Sequence, residues 1–185
     1  MAFQSKGFTV IELMVAVTVL SVVIAIALPS FTEQVRNNRS ITVANEFIDT
    51  VSFARAQAVS RPARISICAS DDQKTCTGDW KDGYIVFIDK KATTDTAVPP
   101  EDPDEEDILK VIQITKPDVE LTASFGETPT DFIRFTSLGT LARISADPLT
   151  VKTKITDCKG NYARSIGITL SGQTTASPLD CSEEL

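Results

Sequence analysis

The sequence predicts an α+β protein, with one long N-terminal helix packed on a head of antiparallel β-sheets. The first half of the helix is expected to be transmembrane and the second half amphipathic. Three observations carry this prediction. An apolar run extends from Phe8 to Leu28. Apolar residues then recur at three- and four-residue steps as far as Val59. Beyond Pro62, short segments alternate polar and apolar residues between glycine-bearing turns, the period-two signature of strands. The 185-residue chain divides accordingly into a leader (1–7), an apolar stem (8–28), an amphipathic continuation of the helix (29–62) and a β-rich head (63–185).

The stem is long enough for a helix to cross a hydrocarbon core of ~30 Å. It admits three readings. The first is a plain signal anchor. The second is a cleavable secretory signal, in which Lys6 supplies the basic region and Ala25-Ile26-Ala27 the small-residue cleavage site. Two features oppose the second reading: Glu12 interrupts the start of the apolar run, and the run exceeds the usual apolar region of about 7–15 residues. The third reading uses the whole local pattern and is taken up below. Glu12 demands an explanation in any of them, because a carboxylate at mid-bilayer costs on the order of 3 kcal/mol and generally has a partner.

After Pro29, the residues Ile41, Ala44, Phe47, Ile48, Val51, Ala54, Ala58 and Val59 form one apolar stripe, expected to face the core of the head. Arg61-Pro62 is a natural stop, since the residue before proline is pushed out of helical space. A continuous helix from Phe8 to Ser60 would be about 80 Å long. The predicted strands are Arg64–Cys68, Tyr84–Ile88, Ile108–Ile114, Val119–Phe125, Phe132–Phe135, Thr150–Asp157 and Ser165–Leu170. Hairpins are predicted at Gly139 and at Lys159-Gly160-Asn161. The segment 93–107, TTDTAVPPEDPDEED, has no periodicity and is expected to be an exposed acidic loop. Its carboxylates would suit calcium, but the spacing and central glycine of an EF-hand are missing, so a solvated loop is the preferred reading.

A net charge of -7 argues against broad electrostatic capture of nucleic acid, which needs clustered Lys and Arg. The chain has no histidine, and with it go the commonest general base and metal ligand. Nucleophile-elbow, P-loop and dinucleotide fingerprints are absent from the sequence. No enzyme activity, metal or cofactor is expected. The four cysteines are Cys68, Cys76, Cys158 and Cys181; none forms a CxxC pair, and an even count behind a membrane-targeting segment fits disulfides in an oxidising compartment. Three pairings are possible. The sequence-local choice is Cys68–Cys76 with Cys158–Cys181, worth roughly 2.5 and 3.5 kcal/mol in loop entropy.

The stretch Lys6-Gly7-Phe8-Thr9-Val10-Ile11-Glu12-Leu13 resembles the class III signal of type IV pilins and type II secretion pseudopilins. The resemblance implies that a prepilin peptidase cuts between Gly7 and Phe8 on the cytoplasmic side and methylates Phe8. It also implies that Glu12 meets the α-amino group of a neighbouring Phe8 when subunits stack, and that Pro29 kinks the helix. Positive-inside counting does not assist, since Arg36 and Arg39 follow the stem on the outer side. Orientation therefore rests on the peptidase motif and the cysteines. They imply a single-pass bacterial inner-membrane protein, head in the periplasm, that enters a pilus fibre on assembly.

The head extends the resemblance. Val51 to Val59, Ile67-Cys68-Ala69-Ser70, Cys76, Asp79-Trp80, Gly83 to Asp89, and Phe135-Thr136-Ser137-Leu138-Gly139-Thr140-Leu141 are similar to the GspH/FimT/FimU group of the type IV pilin-like family. That group implies one of three roles. A FimU-like minor pilin would help prime a type IV pilus for twitching, adhesion or DNA uptake. A GspH-like minor pseudopilin would serve type II protein secretion. A FimT-like minor pilin would bind DNA in natural transformation. The implied partners are other minor and major pilins or pseudopilins, the peptidase and the inner membrane. The DNA-binding members carry an arginine-rich motif near the C-terminus, where this chain offers only Lys159 and Arg164, with Gln173 following and an acidic tail. Nucleic acid is therefore the least favoured partner. The two-disulfide pattern leans toward the FimU-like role.

Overall fold

The structure is a computed structural model that describes residues 7–92, 98–115, 118–142, 147–183 and 185; for residues 26–30 it describes the backbone alone. Among the described residues, one helix, α1 (Val10–Ser60), precedes nine strands: β1 (Ile65–Ala69), β2 (Gly83–Ile88), β3 (Ile108–Gln113), β4 (Val119–Phe125), β5 (Thr128–Pro129), β6 (Phe132–Phe135), β7 (Leu149–Ile155), β8 (Ala163–Ile168) and β9 (Thr174–Leu179). A 3₁₀ turn at Glu105–Asp107 leads into β3. The chain forms two compact units, Met1–Arg36 and Asn37–Leu185, described in turn.

In the first unit, α1 begins after Thr9 and carries an unusual surface. The large apolar residues from Phe8, just before the helix, to Ile24 are exposed, between 46% and 82%. A contiguous apolar surface of this kind calls for a covering of lipid or of other helices. The helix runs through Pro29, whose side chain lies outside the described residues, as does that of Leu28 at the end of the stem. Among the described residues, no helix is long and apolar enough to cross a membrane.

The second unit is an antiparallel α+β head. One sheet has the order β3-β2-β1-β6 and the other β5-β4-β7-β8-β9. The helix presents Ala44, Phe47, Val51, Ala54 and Ala58 to the core, all buried. This face differs from the predicted stripe at both ends. Val59 is 54% exposed, while the buried face extends toward the N-terminus through Asn37 and Ser40. The alternation of three- and four-residue steps continues through those polar residues, and an apolar count alone cannot detect them. Phe47 anchors the core, packing edge-on against Trp80 and Tyr84 with centroids 5.9 and 5.4 Å away. Trp80 donates its indole N–H to the Thr130 carbonyl at 2.7 Å, which satisfies the one polar atom of a buried ring. The Tyr84 hydroxyl is held above its ordinary pKa, first by burial and then by the Glu46 charge.

β1 and β2 are buried along almost their whole length, because the first sheet is covered on both faces. One face meets the helix core. On the other, Cys68, Ile85, Phe87 and Phe132 form a second apolar cluster, with Cys76 and Ile108 packed against it. β4 and β7, by contrast, alternate buried and part-exposed residues, the pattern of a sheet with one wet face. Two disulfides close the head, Cys68–Cys76 and Cys158–Cys181, with Cα separations of 5.4 and 5.7 Å.

Candidate functional site

Gly7 and Phe8, the pair expected to flank the cleavage, are both exposed and precede the first helical residue. Thr9 and Glu12 then cap α1 reciprocally. The Thr9 N–H donates to Glu12 Oε2 at 3.4 Å, and the Glu12 N–H donates to Thr9 Oγ1 at 3.3 Å. The Thr9 hydroxyl also reaches Glu12 Oε2 at 3.5 Å. This is a capping box, Thr at the cap and Glu three residues on, which satisfies two backbone donors that the helix leaves open. The carboxylate also sits at the positive end of the helix dipole. Reading Glu12 only as a misplaced charge overlooks this role, and the T-x-x-E spacing was the available signal. All three bonds are long and exposed, so the carboxylate can be exchanged to another donor at little cost.

The acidic segment is less free than its composition suggests. Residues 93–97 lie outside the described residues. The remainder, 98–107, is largely exposed but is tied to the head. Lys74 pairs with Glu105 at 2.8 Å, Lys90 with Asp107 at 2.6 Å, and Lys91 with Glu101 at 4.0 Å. Asp102 accepts the Cys76 N–H at 2.9 Å. Pro99 and Pro100 border a cavity of about 330 Å³ beside the Cys68–Cys76 disulfide. Glu105 is held below the ordinary carboxylate range by the hydrogen bond and charge of Lys74. Lys90 is raised, mainly by its bond to Asp107. The segment is therefore a strap over the second apolar cluster, because its acids meet lysines from the turns it crosses. Among the described residues no group of three or more His, Cys, Asp or Glu could hold a metal ion.

The disulfide loop beneath the strap is organised by Asp72. Its carboxylate accepts the Lys74 and Thr75 N–H groups, both at 2.8 Å, and the Thr75 hydroxyl at 2.7 Å. These bonds, the backbone bond from Thr75 first, hold Asp72 well below the ordinary carboxylate range. Deeper in the head, Asp89 and Arg134 form an ion pair of 2.7 Å with side chains only 1% and 3% exposed. Ser66 donates to the same carboxylate at 2.7 Å. This is a structural clamp between β1, β6 and the end of β2.

The two basic residues of the C-terminal region do not form a patch. Lys159 is exposed, whereas Arg164 donates Nη1 to the carbonyls of Asn161 and Ala163, each at 3.0 Å. Asp180 and Glu183 flank Cys181 of the Cys158–Cys181 disulfide in sequence. Arg39, at the start of the head, is engaged by Asp118 through two bonds of 2.6 and 2.7 Å.

The family described as Type II transport protein GspH matches residues 43–174, and the Prokaryotic N-terminal methylation motif matches residues 3–28. No curated protein matches the chain. Among solved structures, the chain is similar to the type IV minor pilin FimU of Pseudomonas aeruginosa, with 23% identity over 80% of this chain and 92% of that one and a TM-score of 0.51. It is also similar to the minor pseudopilin EpsH from the type 2 secretion system of Vibrio cholerae, with 13% identity over 78% of this chain and 98% of that one and a TM-score of 0.46. The FimU likeness establishes a shared fold.

Proposed function

The chain belongs to the family described as Type II transport protein GspH, and on that premise we propose that it is a non-catalytic filament subunit, a minor pilin that helps initiate a type IV pilus. The observation that carries the filament-subunit part of this reading is the N-terminus, and the two disulfides lean it toward the pilus. A methylation-motif match spans residues 3–28, and within it Glu12 is held by long, exposed bonds to Thr9. In the proposed sequence of events, a prepilin peptidase cuts between Gly7 and Phe8 and methylates Phe8. The stem anchors the subunit in the inner membrane, with the head in the periplasm. On assembly, Glu12 leaves Thr9 and takes the α-amino group of a neighbouring Phe8, so that two charges neutralise inside the filament core. The exposed apolar face from Phe8 to Ile24 is covered by lipid before assembly and by other helices after it. Pro29 would provide the bend between stem and head. The two disulfides fit an oxidising compartment.

The second reading, a minor pseudopilin of type II secretion, is favoured by the family match itself, whose description refers to type II transport. Deletion in the source bacterium separates the two. Loss of surface pili and twitching with secretion intact is expected for the minor pilin. Loss of folded exoprotein secretion with pili intact would overturn it in favour of the pseudopilin.

A further inference from the structure

Strand β9 is the outermost strand of the second sheet, paired with β8 alone. Its residues, Thr-Thr-Ala-Ser-Pro-Leu, are exposed or half-exposed throughout and carry no charge. The direction of its backbone groups follows from the turn before it. Thr169 donates its N–H to the Gln173 carbonyl at 2.9 Å, so Gln173 faces β8. Alternation along an antiparallel strand then turns Thr175, Ser177 and Leu179 toward β8 as well, and turns Thr174, Ala176 and Pro178 outward. Pro178 agrees with this parity, since proline is tolerated where its missing N–H would face solvent. Among the described residues, nothing hydrogen-bonds the outer backbone of Thr174 or Ala176. Natural edges are generally guarded by charges, bulges or a covering segment; this one has a single proline near its end.

The turn at Gly172 and Gln173 and the first residues of β9, Thr174 and Thr175, form one wall of a groove of about 780 Å³, whose other wall is the last turns of α1. Ser52, Ala56 and Ser60 lie four residues apart along that wall, all small, so a backbone could lie close to the helix. Arg55 stands among them, half-buried. Its Nε–H donates to the Gly139 carbonyl at 3.1 Å, and among the described residues it has no carboxylate partner. The turns at Gly139 and Gly172 close in on Arg55 with φ of +75° and +74°, and a Cβ at Gly172 would come within 2.7 Å of Arg55 Cδ. The guanidinium is thus held in place by the fold.

We propose that this groove accepts an extended, acid-bearing segment of a neighbouring filament subunit as an added sixth strand beside β9. The proposal rests on the reading of the chain as a filament subunit. An unpaired edge beside a helix is the geometry of β-strand addition, in which main-chain bonds supply affinity and flanking side chains supply selectivity. The occupant must be extended to meet the outward N–H and C=O groups of Thr174 and Ala176. It must carry Asp or Glu because, among the described residues, Arg55 is the one charged residue lining the groove. A second copy paired through β9 would bring six uncharged residues and leave Arg55 without a carboxylate. A subunit already held alongside in a filament would present its segment at high effective concentration.

The test uses the full chain in the source bacterium, with the photo-crosslinking residue benzoylphenylalanine in place of Gln173. Cross-linked peptides from the filament fraction are identified by mass spectrometry. The expected product joins position 173 to an extended, Asp- or Glu-containing segment of another pilin-like subunit. Ala176→Pro removes an outward N–H and no ladder bond; it is expected to leave the melting temperature unchanged and to reduce the cross-link at least tenfold. Ser177→Pro removes an inward N–H and is expected to lower the melting temperature, which checks the strand parity. Arg55→Lys retains the cross-link and Arg55→Gln weakens it several-fold. Cross-links only to lipid or to a second copy, or an undiminished product from Ala176→Pro, would overturn the proposal. Absence of the wild-type chain from filaments would instead overturn the subunit reading on which it rests.

Discussion

Glu12 closes the start of α1 on Thr9, and the same carboxylate is proposed to meet a neighbour's amine. Replacement by alanine removes both functions, but glutamine can complete a capping box while carrying no charge. Glu12→Gln and Glu12→Ala are therefore expected to reduce incorporation into filaments alike, by roughly tenfold or more, the effect of about 1.4 kcal/mol. Immunoblots of the filament fraction against total cell protein measure this; wild-type incorporation of Glu12→Gln would make the carboxylate a local cap only. The buried pair Asp89–Arg134 makes a different prediction. Arg134→Met leaves Asp89 charged and unpaired inside the head, at a cost of about 3–5 kcal/mol, read from denaturant unfolding. Adding Asp89→Leu in the same chain should recover much of that loss. Neither Asp89 nor Arg134 is legible from sequence as a pair, because 45 residues separate them and only the β1–β6 and β1–β2 pairings bring them together.

At the scale of the element, legibility followed burial. β4 and β6 have the predicted boundaries, Val119–Phe125 and Phe132–Phe135, because β4 alternates buried and more exposed residues and β6 is a short run buried throughout. β9 was invisible to the same reading because it has no buried face; only its register with β8 defines it. The acidic strap was legible in composition but not in attachment, which depends on lysines far away in sequence. Two of its ion pairs, Lys74–Glu105 and Lys91–Glu101, are exposed, so they weaken as the Debye length falls to about 3 Å at 1 M salt. Proteolysis within 98–107 is expected to accelerate in high salt while the global melting temperature changes little. The loop under the strap has its own pH dependence. Asp72 is held below its ordinary value of 3.8 by the Thr75 and Lys74 bonds, so its contribution is complete above that value. It is lost as the pH falls below 3.8 toward the depressed folded-state value. Amide exchange at Lys74 and Thr75 should be slow at pH 5 and faster at pH 2, relative to amides in β7. In Asp72→Asn the pH dependence of that ratio should vanish.

For the whole molecule, the decisive property is how the cations are used. A net charge of -7 already disfavours a polyanion, but a local basic patch could still bind one, and sequence counting cannot tell a free cation from an engaged one. In the fold, Arg39 is engaged by Asp118, Arg134 by Asp89, Lys81 by Asp79 and Lys154 by Glu120. Lys74, Lys90 and Lys91 hold the strap, and Arg164 is bonded to its own loop. Lys159 is exposed and stands apart from Arg164's loop bonds, and Arg55 is half-buried in the groove beside β9. DNA affinity depends on counterions released by several cations acting together. The full chain in detergent is therefore expected to give no mobility shift with duplex DNA at physiological salt, with any affinity weaker than about 10⁻⁴ M. A retarded band at micromolar protein, with a steep loss on raising salt, would mean that cations leave their carboxylate partners on binding. It would move the chain toward the DNA-receptor role and away from a purely structural one.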